Sequence, residues 1–213
     1  MRTRLKLLLS SLPVFIALAF SAAGGAADQP GQTIPDPGYR PDTYFEPALA
    51  AELDTATFAV LPTIVRRAER SACSYDSQAQ ILEFLDELGI AAVRKPRRID
   101  LGPARRPSQW EMFQYGARSV SDTLRSYDTG TDYTLVMEIL VPESQAVFGI
   151  EVYIVNQEGQ HMLSFLLNSH HQMFADAGLV ARNSSEDARN EMIAKATAVG
   201  LAALQQQLDL LGS

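Results

Sequence analysis

Nine consecutive residues, Tyr133 to Val141 (YTLVMEILV), limit what this chain can become. Apolar side chains occur at both parities of the run, so a strand formed there buries both of its faces. A strand of that kind sits in the interior of a sheet with a layer packed on each side. Pro142 closes it. Two further strands follow, Val147 to Val155 and Gln160 to Leu167, joined through Asn156-Gln157-Glu158-Gly159. Gly159 supplies the left-handed conformation that such a hairpin loop needs. In the first arm Ile150, Val152 and Ile154 alternate with Glu151 and Tyr153, which predicts one buried face and one wet face.

Upstream, Thr57 to Leu61 (TFAVL) reads as a short strand stopped by Pro62. Ser77 and Gln80 fit a capping box for a helix through Ile81, Leu82, Leu85 and Leu88, ended by Gly89. Ile90 to Arg94 is the next strand. Ser108 and Glu111 repeat the capping pattern, and Trp110, Phe113, Ala117, Val120 and Leu124 mark one helical stripe. A long helix spans Glu186 to Leu211, capped by Ser184 or Ser185, with Ile193, Ala196, Gly200, Leu204, Leu208 and Leu211 inward. The order is β-α-β-α-β-β-β-α. The β-α-β start predicts a parallel pair and the meander antiparallel pairs. The expected fold is therefore α/β (α+β), a mixed sheet with helices packed on it.

The first 27 residues have the layout of a signal peptide. Arg2, Arg4 and Lys6 precede an apolar run from Leu7 to Phe20, and small residues follow to Ala27, after which cleavage is expected. The run is too short for a membrane-spanning helix. No cysteine stands in the cleavage zone, so the lipid-modified type of signal is excluded. Residues 28–54 read as a Pro-rich linker: Pro30, Pro35, Pro37, Pro41 and Pro47 keep it extended, and Tyr39, Tyr44 and Phe45 are available to pack it down. Residues 55–213 make one domain. The expected location is the periplasm or the exterior, with nothing spanning the membrane after cleavage.

Charge narrows the partners. Three of the 18 basic residues and none of the 25 acidic ones lie in the signal, so the mature chain carries 15 against 25, net −10. That argues against general nucleic-acid binding. The basic residues cluster: Arg66, Arg67, Arg70, Arg94, Lys95, Arg97, Arg98, Arg105 and Arg106 make the 66–106 window net +3. Arg94, Lys95, Arg97, Arg98, Arg105 and Arg106 are the candidate partner-binding residues, suited to another envelope protein or an anionic envelope surface. The competing reading is a loop kept soluble by arginine.

Other chemistry is sparse. His170, His171 and Asp176 are the candidate metal ligands, with His161 nearby, but adjacent histidines on a strand point to opposite faces and no HExxH or CxxC is present. Glu138 and Glu151 lie on neighbouring strands and could work as an acid–base pair in a cleft, although such residues usually line the solvent face of a sheet. The lone Cys73 cannot form an internal disulfide and reads as a buried thiol. Asn183-Ser184-Ser185 matches a glycosylation triplet, a pattern frequent by chance. No GxSxG, P-loop or GxGxxG occurs, and no cofactor is implied.

In the order of these elements the chain resembles a group of bacterial periplasmic envelope domains, that of the TolB amino-terminal domain and the CsgG and LpoB domains. The residues carrying the likeness are Phe58-Ala59-Val60-Leu61-Pro62, the helix from Ile81 to Gly89, and Thr131-Asp132-Tyr133-Thr134-Leu135-Val136, followed by the hairpin and the final helix. The resemblance implies a non-enzymatic domain that binds other envelope proteins and carries over no catalytic residue. The expectation is an exported binding or accessory protein acting through protein–protein contact. The alternative is a secreted hydrolase or a small-ligand or metal-binding protein.

Overall fold

A computed structural model describes residues 43–67, 77–101, 109–141, 147–179 and 186–211. Residues 1–33 and 34–213 separate into two units, and every described residue belongs to the second. The signal segment, Tyr39, Arg70, Cys73, Arg105, Arg106, Ser108 and the 183–185 triplet lie outside the described residues, as do the side chains of Trp110 and Glu111.

Seven strands form one sheet: β1 (Thr43–Phe45), β2 (Thr57–Val60), β3 (Ile64–Arg67), β4 (Ala91–Arg94), β5 (Tyr133–Val141), β6 (Gly149–Asn156) and β7 (His161–Asn168). Their spatial order is β1-β7-β6-β5-β2-β4, with β3 also paired to β5. Strands β2 and β4 are parallel, β2 and β5 are parallel, and β5-β6-β7 is an antiparallel meander. The helices are α1 (Ala48–Glu52), α2 (Gln78–Glu87), α3 (Gln109–Arg125), α4 (Gln172–Asp176) and α5 (Glu186–Leu211). The mixed α/β architecture follows the sequence, with β1, α1, β3 and α4 added. Part of the stretch read as linker joins the sheet, since β1 pairs antiparallel with β7.

Strands β2 and β3 fill successive halves of one edge of β5, at Phe58↔Tyr133 to Val60↔Leu135 and at Ile64↔Glu138 to Arg67↔Val141. Pro62 lies in the break, where its missing N–H interrupts the ladder. The apolar run stops at Pro62, but the β-branched Ile64 and Val65 resume pairing on its far side.

Alternation along β5 divides the two layers. Leu135, Met137 and Ile139 face an aliphatic core shared with Ile81 and Leu85 of α2 and Ile193, Ala196 and Leu204 of α5. Val136 faces the other way, with Phe113, Val120 and Leu124 of α3 and Tyr153 of β6. The wet face expected for β6 is therefore corrected: Glu151 and Tyr153 are both 0% exposed, because α3 lies over them.

The start of α2 also departs from the expected capping box. Ser77 holds the N-cap position with helical backbone angles (φ −79, ψ −8) and makes no side-chain cap bond. A capping hydroxyl needs extended backbone at that residue. The Gln78 amide ties the helix down instead, donating to the carbonyls of Val60 and Lys95, both at 2.9 Å.

Candidate functional site

Glu138 and Glu151 stand directly opposite one another on β5 and β6. Both are completely buried. Arg66 reaches them from β3, with Nε 2.6 Å from Glu138 Oε1. Its N–H is not directed at that oxygen, so the contact is an ion pair rather than a hydrogen bond. The Tyr153 hydroxyl donates to Glu151 Oε2 at 2.6 Å. Phe113 of α3 stacks on the Tyr153 ring at 5.9 Å, and His161 of β7 meets it edge-on at 5.7 Å. The His161 Nε2 lies 2.9 Å from the carbonyl oxygen of Ala117 in α3, which can only accept, so that nitrogen carries the proton.

Helix α3 approaches this group at Gly116. A Cβ there would stand 2.5 Å from the Tyr153 hydroxyl, 3.0 Å from Glu138 Oε2 and 3.3 Å from Glu151 Oε2. The glycine lets the helix backbone rest on the polar cluster.

Burial sets the protonation. It pushes the Glu138 carboxyl well above the usual range, and the like charge of Glu151 adds to that, against the pull of Arg66. Burial also raises Glu151, opposed by the neighbouring Glu138 carboxyl, by the Tyr153 hydroxyl and by Arg66. The Tyr153 phenol is pushed up by burial and by both carboxylates. Burial lowers His161, which is therefore neutral at pH 7.

The sequence placed Glu138 and Glu151 on neighbouring strands but read them as solvent-facing in the commoner case. The structure brings them together and seals them. Neither lines the cleft of about 680 Å³ at the margin of α3, bounded by Tyr44, Glu46, Ser121, Arg125, His161 and Ser164 among others. Acid–base work on an outside substrate needs hydrogen-bond reach to it, and fully buried carboxyls do not offer that. Sequence reasoning missed Arg66 and Tyr153 as their partners; the shared parity of Glu151 and Tyr153 in β6 was the available signal.

The basic candidates take a different place. Arg94 ends β4, which pairs only with β2 among the described residues and so forms one margin of the sheet. Arg94, Arg97 and Arg98 are exposed and Lys95 is half-buried. The segment is pinned at both ends. The Lys95 N–H donates to Val60 O at 3.0 Å, and Ile99 and Leu101 are buried in the α3-side core. The Arg97 guanidinium also sits 5.0 Å from the centre of the Tyr127 ring. Val93 on the same margin is 46% exposed.

The histidine candidates do not converge. His170 is exposed in the turn after β7. His171 caps α4, its Nδ1 accepting from the Met173 N–H at 3.4 Å, and Asp176 accepts from the Gln172 amide at 2.8 Å. Among the described residues no three His, Cys, Asp or Glu side chains are grouped to hold a metal ion.

No protein-family model matches the chain. No curated protein matches it. Among solved structures it is similar to lipoprotein GNA1162 from Neisseria meningitidis, with TM-score 0.34 and 14% identity over 72% of this chain and 96% of that one. It is also similar to LpoB from E. coli, with TM-score 0.29 and 12% identity over 78% and 87% of the two chains. The hypothetical protein CT253 from Chlamydia trachomatis gives TM-score 0.25 and 13% identity over 70% and 99%. The likeness is weak and concerns the fold alone.

Proposed function

We propose that the chain is exported, loses residues 1–27, and serves in the cell envelope as an accessory module that binds another protein. The contact surface is the β4 margin with Arg94, Lys95, Arg97 and Arg98, the proposed contact residues Arg105 and Arg106 lie outside the described residues, and the partner presents an acidic face. The observation supporting this most directly is the pinned 95–101 segment. It displays exposed arginines beside a strand whose outer edge is unpaired among the described residues. A fixed cationic margin on an otherwise acidic protein steers an anionic partner, and an open strand edge offers backbone pairing. The sealed carboxylates favour contact over catalysis. Among the described residues no helix is long and apolar enough to cross a membrane.

The test is site-specific crosslinking from position 93 in intact cells, comparing the wild-type chain with Arg97→Glu/Arg98→Glu. Loss of a discrete crosslinked species in the variant is expected. Equal crosslinking in both removes the arginines from the proposal. Amino-terminal sequencing of the mature protein checks the export step, with Asp28 as the expected first residue.

A further inference from the structure

We infer that Glu138 and Glu151 hold a single proton between them, and that this proton fastens α3 to the sheet and makes its packing a pH-sensitive element. The inference stands on geometry and charge and is independent of the binding reading above.

Three side chains that can carry charge near neutral pH, Arg66, Glu138 and Glu151, meet in a space closed to water. Arg66 contributes one positive charge, and two ionised carboxyls would contribute two negative ones. One retained proton brings the total to zero. The same proton answers a second need. Both Glu138 oxygens and Glu151 Oε1 are buried without a hydrogen-bond donor among the described residues. A carboxylic acid facing a carboxylate supplies that donor. A buried pair of this kind titrates as a unit.

Among the described residues the neighbours leave no other source of compensation. Arg66 from β3 is already counted. Tyr153 on β6 donates its hydroxyl to Glu151 and stays protonated. His161 on β7 is neutral at pH 7 and directs its proton to Ala117. Helix α3 presents the backbone of Gly116, while its Tyr115 and Arg118 are exposed. Losing the proton therefore leaves one uncompensated negative charge against the underside of α3. Leaving such a charge buried is costly. The cheapest relief is separation of α3 from the sheet, which admits water. The helix is packed at lower pH and released as pH rises.

Trp110, the one tryptophan in the chain, lies in α3 and reports on it without a label. The full-length protein is titrated from about pH 4.5, where ordinary carboxyls are about half ionised, to about pH 8 while its tryptophan emission is followed. A shift with a midpoint above the ordinary carboxyl value of 4.5 is expected. Glu151→Gln and Glu138→Gln should each abolish it, because one remaining carboxylate balances Arg66 with no proton to lose. A flat wild-type titration, or a shift that survives in both variants, overturns the inference. If circular dichroism shows that neither variant folds, hydrogen exchange of the wild type decides. Amides of α3 losing protection with rising pH while those of β5 keep theirs supports it, and a uniform change across both overturns it.

Discussion

A Cβ placed on Gly116 would come within 2.5 Å of the Tyr153 hydroxyl, so the contact between α3 and β6 is set by the absence of a side chain. The hydroxyl cannot retreat, because Tyr153 is fully buried and donates to Glu151. Alanine would favour the helix itself by about 1 kcal/mol. Overpacking a closed core costs about 1–3 kcal/mol. Gly116→Ala should therefore destabilise the protein in urea denaturation; a stabilised variant would show that α3 does not rest on Tyr153.

Gly200 offers the contrast. A Cβ there meets the end of the Met137 side chain at 2.9 Å and an Ile150 methyl at 3.0 Å. The methionine chain can swing aside, so the same substitution should cost less at Gly200 than at Gly116. Denaturation midpoints of the two single variants, compared under one set of conditions, check the ranking.

Arg66→Met removes the cation beside Glu138 while keeping most of the side-chain volume. Breaking a buried pair by deleting one partner costs about 3–5 kcal/mol. Adding Glu138→Gln should restore part of that loss at pH 7, since the double variant carries one fewer buried acid. A double-mutant cycle measures the coupling; additive effects would show that Arg66 and Glu138 act separately.

The pH dependence of overall stability has a defined sign. The Glu138 and Glu151 carboxyls are raised in the folded state. The folded protein then binds more protons than the unfolded chain above the ordinary carboxyl value of 4.5. Their contribution is full below that value and is lost as pH rises, by up to about 1.4 kcal/mol per unit, until the folded pair releases its proton. His161, lowered by burial, works the opposite way as pH climbs towards 6.5. The carboxyl contribution is therefore read as the difference between wild type and Glu151→Gln across pH. A constant difference would contradict the shared proton.

Arg97→Glu removes one stacking contact with Tyr127 and leaves the anchors at Lys95, Ile99 and Leu101 in place. An exposed cation–π contact is worth about 0.5–1 kcal/mol. The variant should keep its thermal midpoint within a few degrees, so that a change in crosslinking reports contact rather than unfolding. A large fall in the midpoint would assign Arg97 to the fold instead.

Local pattern alone placed the main elements. The nine-residue, mostly apolar run became β5 between two layers, and Gly159 turns the hairpin at φ +77 as its position required. The spacing of Ile193, Ala196 and Leu204 put α5 on the aliphatic face. These features depend on side-chain period and backbone sterics, which belong to short stretches of chain. Strand β3 was not evident because four residues carry little pattern, and its pairing is fixed by the register of β5, which is far away in sequence. The meeting of Arg66, Glu138, Glu151 and Tyr153 was likewise closed to sequence reasoning. Alternation states which parity each residue has, but not whether a helix covers that face. Only the seating of α3 through Gly116 turned an apparently wet face into a sealed one, and with it two ordinary surface carboxylates into a pair that must hold a proton.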